Sequence, residues 1–242
     1  MIAPFIIPTF DPDSADSTIL EAQDEVHRQR AWVYSFDGKP DAPEEEIAAS
    51  DERIIAVEDQ IHDNHASTIP GIIARLQTLL TRECDRWIDR AMSEGGFIAV
   101  YRRIKELNGD QRQMVHAIHE LYHFDWEQAL AAYERAEADL TKAGAARAVT
   151  DPVALEARAR GEHEGPAVNA DDATEQVQNH MIDRSGVALN ALLRTIAPDH
   201  DAYLRKMKIM AAEGIDYALP WLARDTAFLI GRLYAAAPEG AR

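Results

Sequence analysis

Apolar residues recur at helical spacing along most of the chain. From Ser17 to about Ser35, Ile19, Ala22, Val26 and Val33 share one side of a predicted helix, with Ser17 placed as its N-cap. "FDGKPDAP" interrupts it with Gly38, Pro40 and Pro43. Asp41 and Glu44 then stand at capping-box spacing before a second helix, whose stripe is Ile47, Ile54, Val57 and Ile61 and whose end is placed near His65. Two amphipathic helices joined by so short a loop predict an antiparallel hairpin over 17–65, preceded by an extended arm over 1–16.

In "ASTIPGIIARLQTLL", Ser67 or Thr68 supplies a cap and Pro70 a first-turn residue. Ile73, Leu76, Leu80, Cys84 and Trp87 follow on one face. "SEGG" at 93–96 ends that segment, and Phe97 to Tyr101 fit either a short strand or a further helix. A long helical pattern runs from about Gln111 to Lys142. Residues 143–170 are rich in Ala, Gly and charge and read as a connector or mobile loop, in which Asp151-Pro152 opens at most one short helix. Asp172 and Glu175, again at capping-box spacing, start a helix to about Ile196, and two closing helices cover about 199–212 and 216–236. The expectation is an all-α bundle of about seven or eight helices in a single domain over 1–242.

Composition narrows the classes of function. At 242 residues and 46% hydrophobic, the chain can bury a substantial core. A formal net charge of −17 argues against direct nucleic-acid binding, which needs a basic stripe. The same acidity admits a protein that imitates nucleic acid to occupy another protein's basic groove. Cys84 is the single cysteine, which fits a reducing compartment. No run is apolar enough for a membrane span, because Arg224, Asp225 and Arg232 interrupt the best candidate. The cytoplasm is the expected location. Cys84 itself shares a face with Ile73, Leu80 and Trp87 and reads as a structural thiol.

The opening hairpin followed by "ASTIPGIIARLQTLL", together with the closing "ALPWLARDTAFLIGRLYAA", resembles a loose group of uncharacterised bacterial helical-hairpin proteins. The resemblance spans about half of the chain, implies a helical scaffold and carries no activity.

One stretch, "HAIHELYHF" at 116–124, points to chemistry. Locally it resembles the zinc metallopeptidase signature, in which two histidines at i and i+4 bind Zn²⁺ and the glutamate between them activates water. That resemblance makes His119 and His123 metal ligands and Glu120 the general base. Asp125 departs from the pattern, standing where the signature takes an apolar residue. A third ligand has no diagnostic position. His116 is about 10 Å of helix rise from His123, and Glu127, Glu134 and Glu137 lie along the same helix. Glu162, His163, Glu164, His180, Asp199 and His200 are the other candidates. Counting about 100° per residue from Val115, His119 falls within the apolar arc, His123 at its edge and Glu120 outside it. Asp24/His27, Asp59/His62 and Glu120/His123 also have the acid-x-x-His spacing of di-iron bundles, but the same count turns all three acids outward.

The reading these features favour is a non-catalytic helical interaction or scaffold protein that binds a protein partner or itself, with no cofactor and no membrane. The alternatives are a zinc-dependent hydrolase built on the HELYH motif and an acidic nucleic-acid mimic.

Overall fold

The computed structural model describes residues 15–39, 42–82, 86–215 and 219–230, and the fold is all-α. Its helices are α1 (Ser17–Tyr34), α2 (Glu44–Asp63), α3 (Ile69–Arg82), α4 (Arg86–Arg102), α5 (Gly109–Ala159), α6 (Pro166–Arg194), α7 (His200–Ala212) and α8 (Leu219–Ile230), with a 3-10 turn at Ile104–Glu106. No strand occurs among the described residues. Most of the arm, Asp41, Cys84 and the end of the last expected helix lie outside them.

The chain divides into two compact units, one of residues 1–125 with 196–242 and one of residues 126–195. In the first, α1 packs against α2, α3 and α4 at once. Buried residues therefore lie on several sides of it, including Ile19, Val26, Gln23, Asp24, His27 and Arg30. One apolar cluster joins Ile19, Leu20 and Val26 to Ile54, Ile61 and Ala74. A larger one gathers Ile73, Leu80, Met92, Phe97, Ile118, Tyr122 and Phe228.

The turn before α3 is built around a carboxylate that comes from the start of α1. Asp16 accepts hydrogen bonds from the backbone N–H groups of Ser67 and Thr68 (both 2.8 Å to Oδ2) and from their hydroxyls (2.7 and 2.9 Å). Thr68 Oγ1 in turn accepts from Gly71 N at 3.2 Å, the N-terminal cap expected for this helix. The expected break at 93–96 is a kink within α4, where Gly96 takes φ 65°, ψ −171°. Residues 97–101 continue as helix, with Phe97 and Val100 buried, so the strand alternative does not occur.

The second unit departs most from the sequence expectation. Residues 143–159 continue α5, with Pro152 inside it, and the break shrinks to 160–165, where Gly161 has φ +86°. Then α6 begins at Pro166, six residues ahead of Asp172. The reason is tertiary: Ala143, Ala154 and Ala157 are buried, giving this weakly apolar stretch an inner face. Alanine also has the best intrinsic helix propensity. The two helices run antiparallel, as Glu137 pairs with Ser185, Arg147 with Gln178, Thr150 with Thr174 and Arg158 with Asp171. Asp172 and Glu175 do not open the helix but pair with Arg158 (3.0 Å) and Arg147 (3.1 Å).

Candidate functional site

His119, Glu120 and His123 lie on α5 within the first unit, and their faces follow from its packing. Val115, Ile118 and Tyr122 are buried on the inner side, His119 and His123 are partly buried, and Glu120 is exposed. The HELYH helix thus presents its two imidazoles at the edge of the core, as the spacing predicted.

The imidazoles belong to an aromatic cluster. His119 stacks on Tyr101 with ring centroids 4.2 Å apart and planes 10° apart. His123 meets His119 edge-on at 4.7 Å, and His116 meets Tyr101 edge-on at 6.3 Å. Burial lowers the pKa of His119, and the neighbouring His123 and His116 lower it further, against the opposing pull of Asp199 and Glu120. The neutral imidazole, able to accept a proton or a metal, is therefore favoured at His119.

Of the candidate third ligands, Asp199 comes close. It is the N-cap of α7, its Oδ1 accepting from Ala202 N at 2.8 Å. Its Oδ2 stands 3.8 Å from His123 Nδ1, too far for a hydrogen bond. Glu127 and Glu134 are exposed farther along α5, and Glu137 accepts from Ser185. Glu162, His163 and Glu164 occupy the 160–165 turn, and His180 is exposed on α6. Among the described residues, no three His, Cys, Asp or Glu side chains are arranged to hold a metal ion. The two imidazoles and the Asp199 carboxylate thus form a set that does not converge, and no reaction step follows from it.

The inner side of the same helix borders a small cavity of about 50 Å³, lined by Gln23, His27, Gln77 and Tyr122 and by a larger apolar share that includes Leu20, Ile73, Phe97 and Ile196. Tyr122 Oη accepts from Gln77 Nε2 at 3.0 Å, and Gln77 Oε1 accepts from Gln23 Nε2 at 2.6 Å, tying α5 to α3 and α1. Burial, reinforced by Arg30, pushes His27 down to about 3, and burial pushes the Tyr122 phenol up. Its lining groups are neutral at physiological pH, and its volume suits a few waters.

Two buried ionic clusters carry no periodicity signal and escape sequence reasoning. Arg30 of α1 bonds both Glu58 of α2 and Asp89 of α4, and Tyr34 donates to Asp89. Burial raises the pKa of Glu58 against the pull of Arg30. In the closing helices, Asp225 is held by Lys206 and by Arg224 (3.1 Å), and all three are fully buried. Burial pushes Lys206 down to about 8, against the pull of Asp225, and Asp125 up to about 6, against the pull of Arg224. The one available signal was the adjacent Arg224-Asp225 in an otherwise apolar run, since opposite charges there can be buried together.

Asp24 corrects the outward placement of the acid-x-x-His acids. It is 3% exposed because α1 is enclosed by three helices, whereas Asp59 is exposed and pairs with Arg82 at 2.8 Å. The chain matches no protein-family model, no curated protein and no solved structure.

Proposed function

We propose that this is a non-catalytic interaction or scaffold protein of the cytoplasm, and that the α5/α6 hairpin of the second unit is its contact surface. One observation carries the reading: the outer half of the hairpin keeps small and polar residues in its seam and leaves larger aliphatic side chains outside it. The seam holds Ala154 and Ala157 with Thr150, Asp171, Thr174 and Gln178, while Val149 (71% exposed), Val153 (54%), Leu155 (54%) and Val177 (53%) face water. Aliphatic side chains gain free energy by leaving water, and within this unit the hairpin leaves them exposed. Among the described residues no helix is long and apolar enough to cross a membrane.

The experiment is in-cell cross-linking of the full chain beside Val149→Glu/Val177→Glu, with circular dichroism and melting to establish that the variant folds. Adducts formed by the native chain and lost in the folded variant support the reading. Adducts unaffected by the substitutions, or none in either protein, overturn it.

A zinc-dependent hydrolase using His119, His123 and Glu120 is the second reading, favoured by the adjoining imidazoles of His119 and His123, with ring centroids 4.7 Å apart. Stoichiometric zinc in protein purified without chelator, lost in a folded His119→Ala/His123→Ala variant, would favour it over the first. Equal, negligible zinc in both proteins would count against it.

A further inference from the structure

The apolar positions of the hairpin follow one pattern on both helices. On α5 they are Ala146, Val149 and Val153, and on α6 Ala170, Ala173 and Val177, all exposed. Each set has a spacing of three then four, the interval that keeps residues on one face of a coiled-coil helix. Measured from the local seam residues at about 100° per residue, both sets are displaced in the same sense by about 100°. In an antiparallel pair, equal displacement in the same sense places both on one side of the hairpin. The opposite side carries Asp151, Arg158 and Glu175, with the exposed Leu155 among them.

Charge along α5 orders what can lie on that apolar side. Lys142, Val149 and Glu156 are exposed and recur at heptad spacing, so a basic, an apolar and an acidic position follow one another along one line. The base end also carries Arg184, 54% exposed and 4.0 Å from Asp139, which is 3.6 Å from Lys142. The tip carries Glu156, Glu162 and Glu164 with two bases, Arg160, which pairs with Glu162 at 3.1 Å, and Arg158, which pairs with Asp172 at 3.0 Å, so Glu156 and Glu164 are the acids that a second copy can meet. An identical hairpin turned about a two-fold axis near Val149 would set its tip acids against these bases, twice, while the valines meet at the centre. Such self-complementarity is what an isologous contact requires.

We infer that the apolar side of the α5/α6 hairpin is a self-association surface, on which the hairpin of a second copy of this chain packs tip to base to form a four-helix bundle. The inference rests on the hairpin being the contact surface and adds the identity of what covers it. The apolar strip spans on the order of 10 to 12 Å of helix, so the dimer is a reversible one. Knobs of valine and alanine allow the four helices to approach closely, and the end charges select the tip-to-base orientation over the parallel one.

Sedimentation of the full chain from about 1 to about 200 µM spans the range in which contacts of this modest size dissociate. The native chain should pass from monomer to dimer, and Val149→Glu/Val177→Glu should remain monomeric while folded. Lys142→Glu alone and Glu156→Lys alone should each weaken the dimer at least tenfold, and the double exchange in one chain should restore most of it. A second copy in parallel would not be restored. A chain that stays monomeric throughout, or a dimer indifferent to the valine substitutions, overturns the inference. If the chain is monomeric but the same valine variant loses its cross-linked adducts in cells, self-association alone falls. If adducts persist in that variant, the contact-surface reading falls with it.

Discussion

A Cβ on Gly71 would stand 2.0 Å from Oδ2 of Asp16, the oxygen that accepts from the Ser67 and Thr68 backbones. The bare backbone of α3 and the carboxylate at the start of α1 therefore occupy one space that a side chain would deny to the other. Gly71→Ala should expel Asp16 from the turn and strip α3 of its anionic cap, lowering stability by about 2 kcal/mol. Urea unfolding of the variant beside the native chain measures this, and an unchanged midpoint would show that the turn relaxes without loss.

The same carboxylate makes this cap sensitive to acid. Burial opposes ionisation of Asp16, but hydrogen bonds from Ser67 and Thr68 outweigh it and hold the pKa below 3.8. Its contribution is therefore present above about pH 4 and is lost as the pH falls through the folded value. The stability gap between the native chain and Asp16→Asn should be constant from about pH 5 to 7 and narrow below about pH 4.

His27 acts over a wider window. With its pKa pushed down to about 3 from 6.5, the unfolded chain binds a proton through this interval and the folded chain does not. Stability from this residue is complete above pH 6.5 and declines as the pH falls toward 3, by up to about 1.4 kcal/mol per unit. Asp125, raised to about 6, works the other way, losing stability as the pH rises from the ordinary carboxylate range. Comparing His27→Gln with the native chain cancels that term. The difference should shift toward the variant as the pH falls below 6.5, and a flat difference would refute the assignment.

Arg30 holds two carboxylates from different helices, Glu58 and Asp89. Arg30→Met should leave both facing each other in the interior and cost about 3 to 5 kcal/mol. Adding Glu58→Gln should recover part of the loss, because one of the uncompensated charges is removed. The denaturation midpoints of the single and double variants decide it.

Ala154 is fully buried in the α5/α6 seam, whereas Ala148 on the same helix is exposed. Ala154→Leu should destabilise by about 1 to 3 kcal/mol through overpacking, and Ala148→Leu by well under 1 kcal/mol. Thermal melting of both variants is sufficient.

Periodicity alone determined the helical class, the first hairpin's two helices, the cap and proline at the start of α3, and the placement of His119, His123 and Glu120 around α5. Each is a local property, readable from one helix and its termini. The 143–159 helix was not readable, because its buried face is made of alanine and threonine that leave no apolar signature until α6 supplies the other side. Asp24 and Arg30 became interior because α1 touches three helices, whereas an amphipathic count allows a helix only one buried face. The approach of Asp199 to His123 joins residues from different helices and depends on how α7 packs. Sequence spacing brings residues to a face of one helix; only tertiary packing decides what meets that face, and so which charges are buried and which valines are left in water.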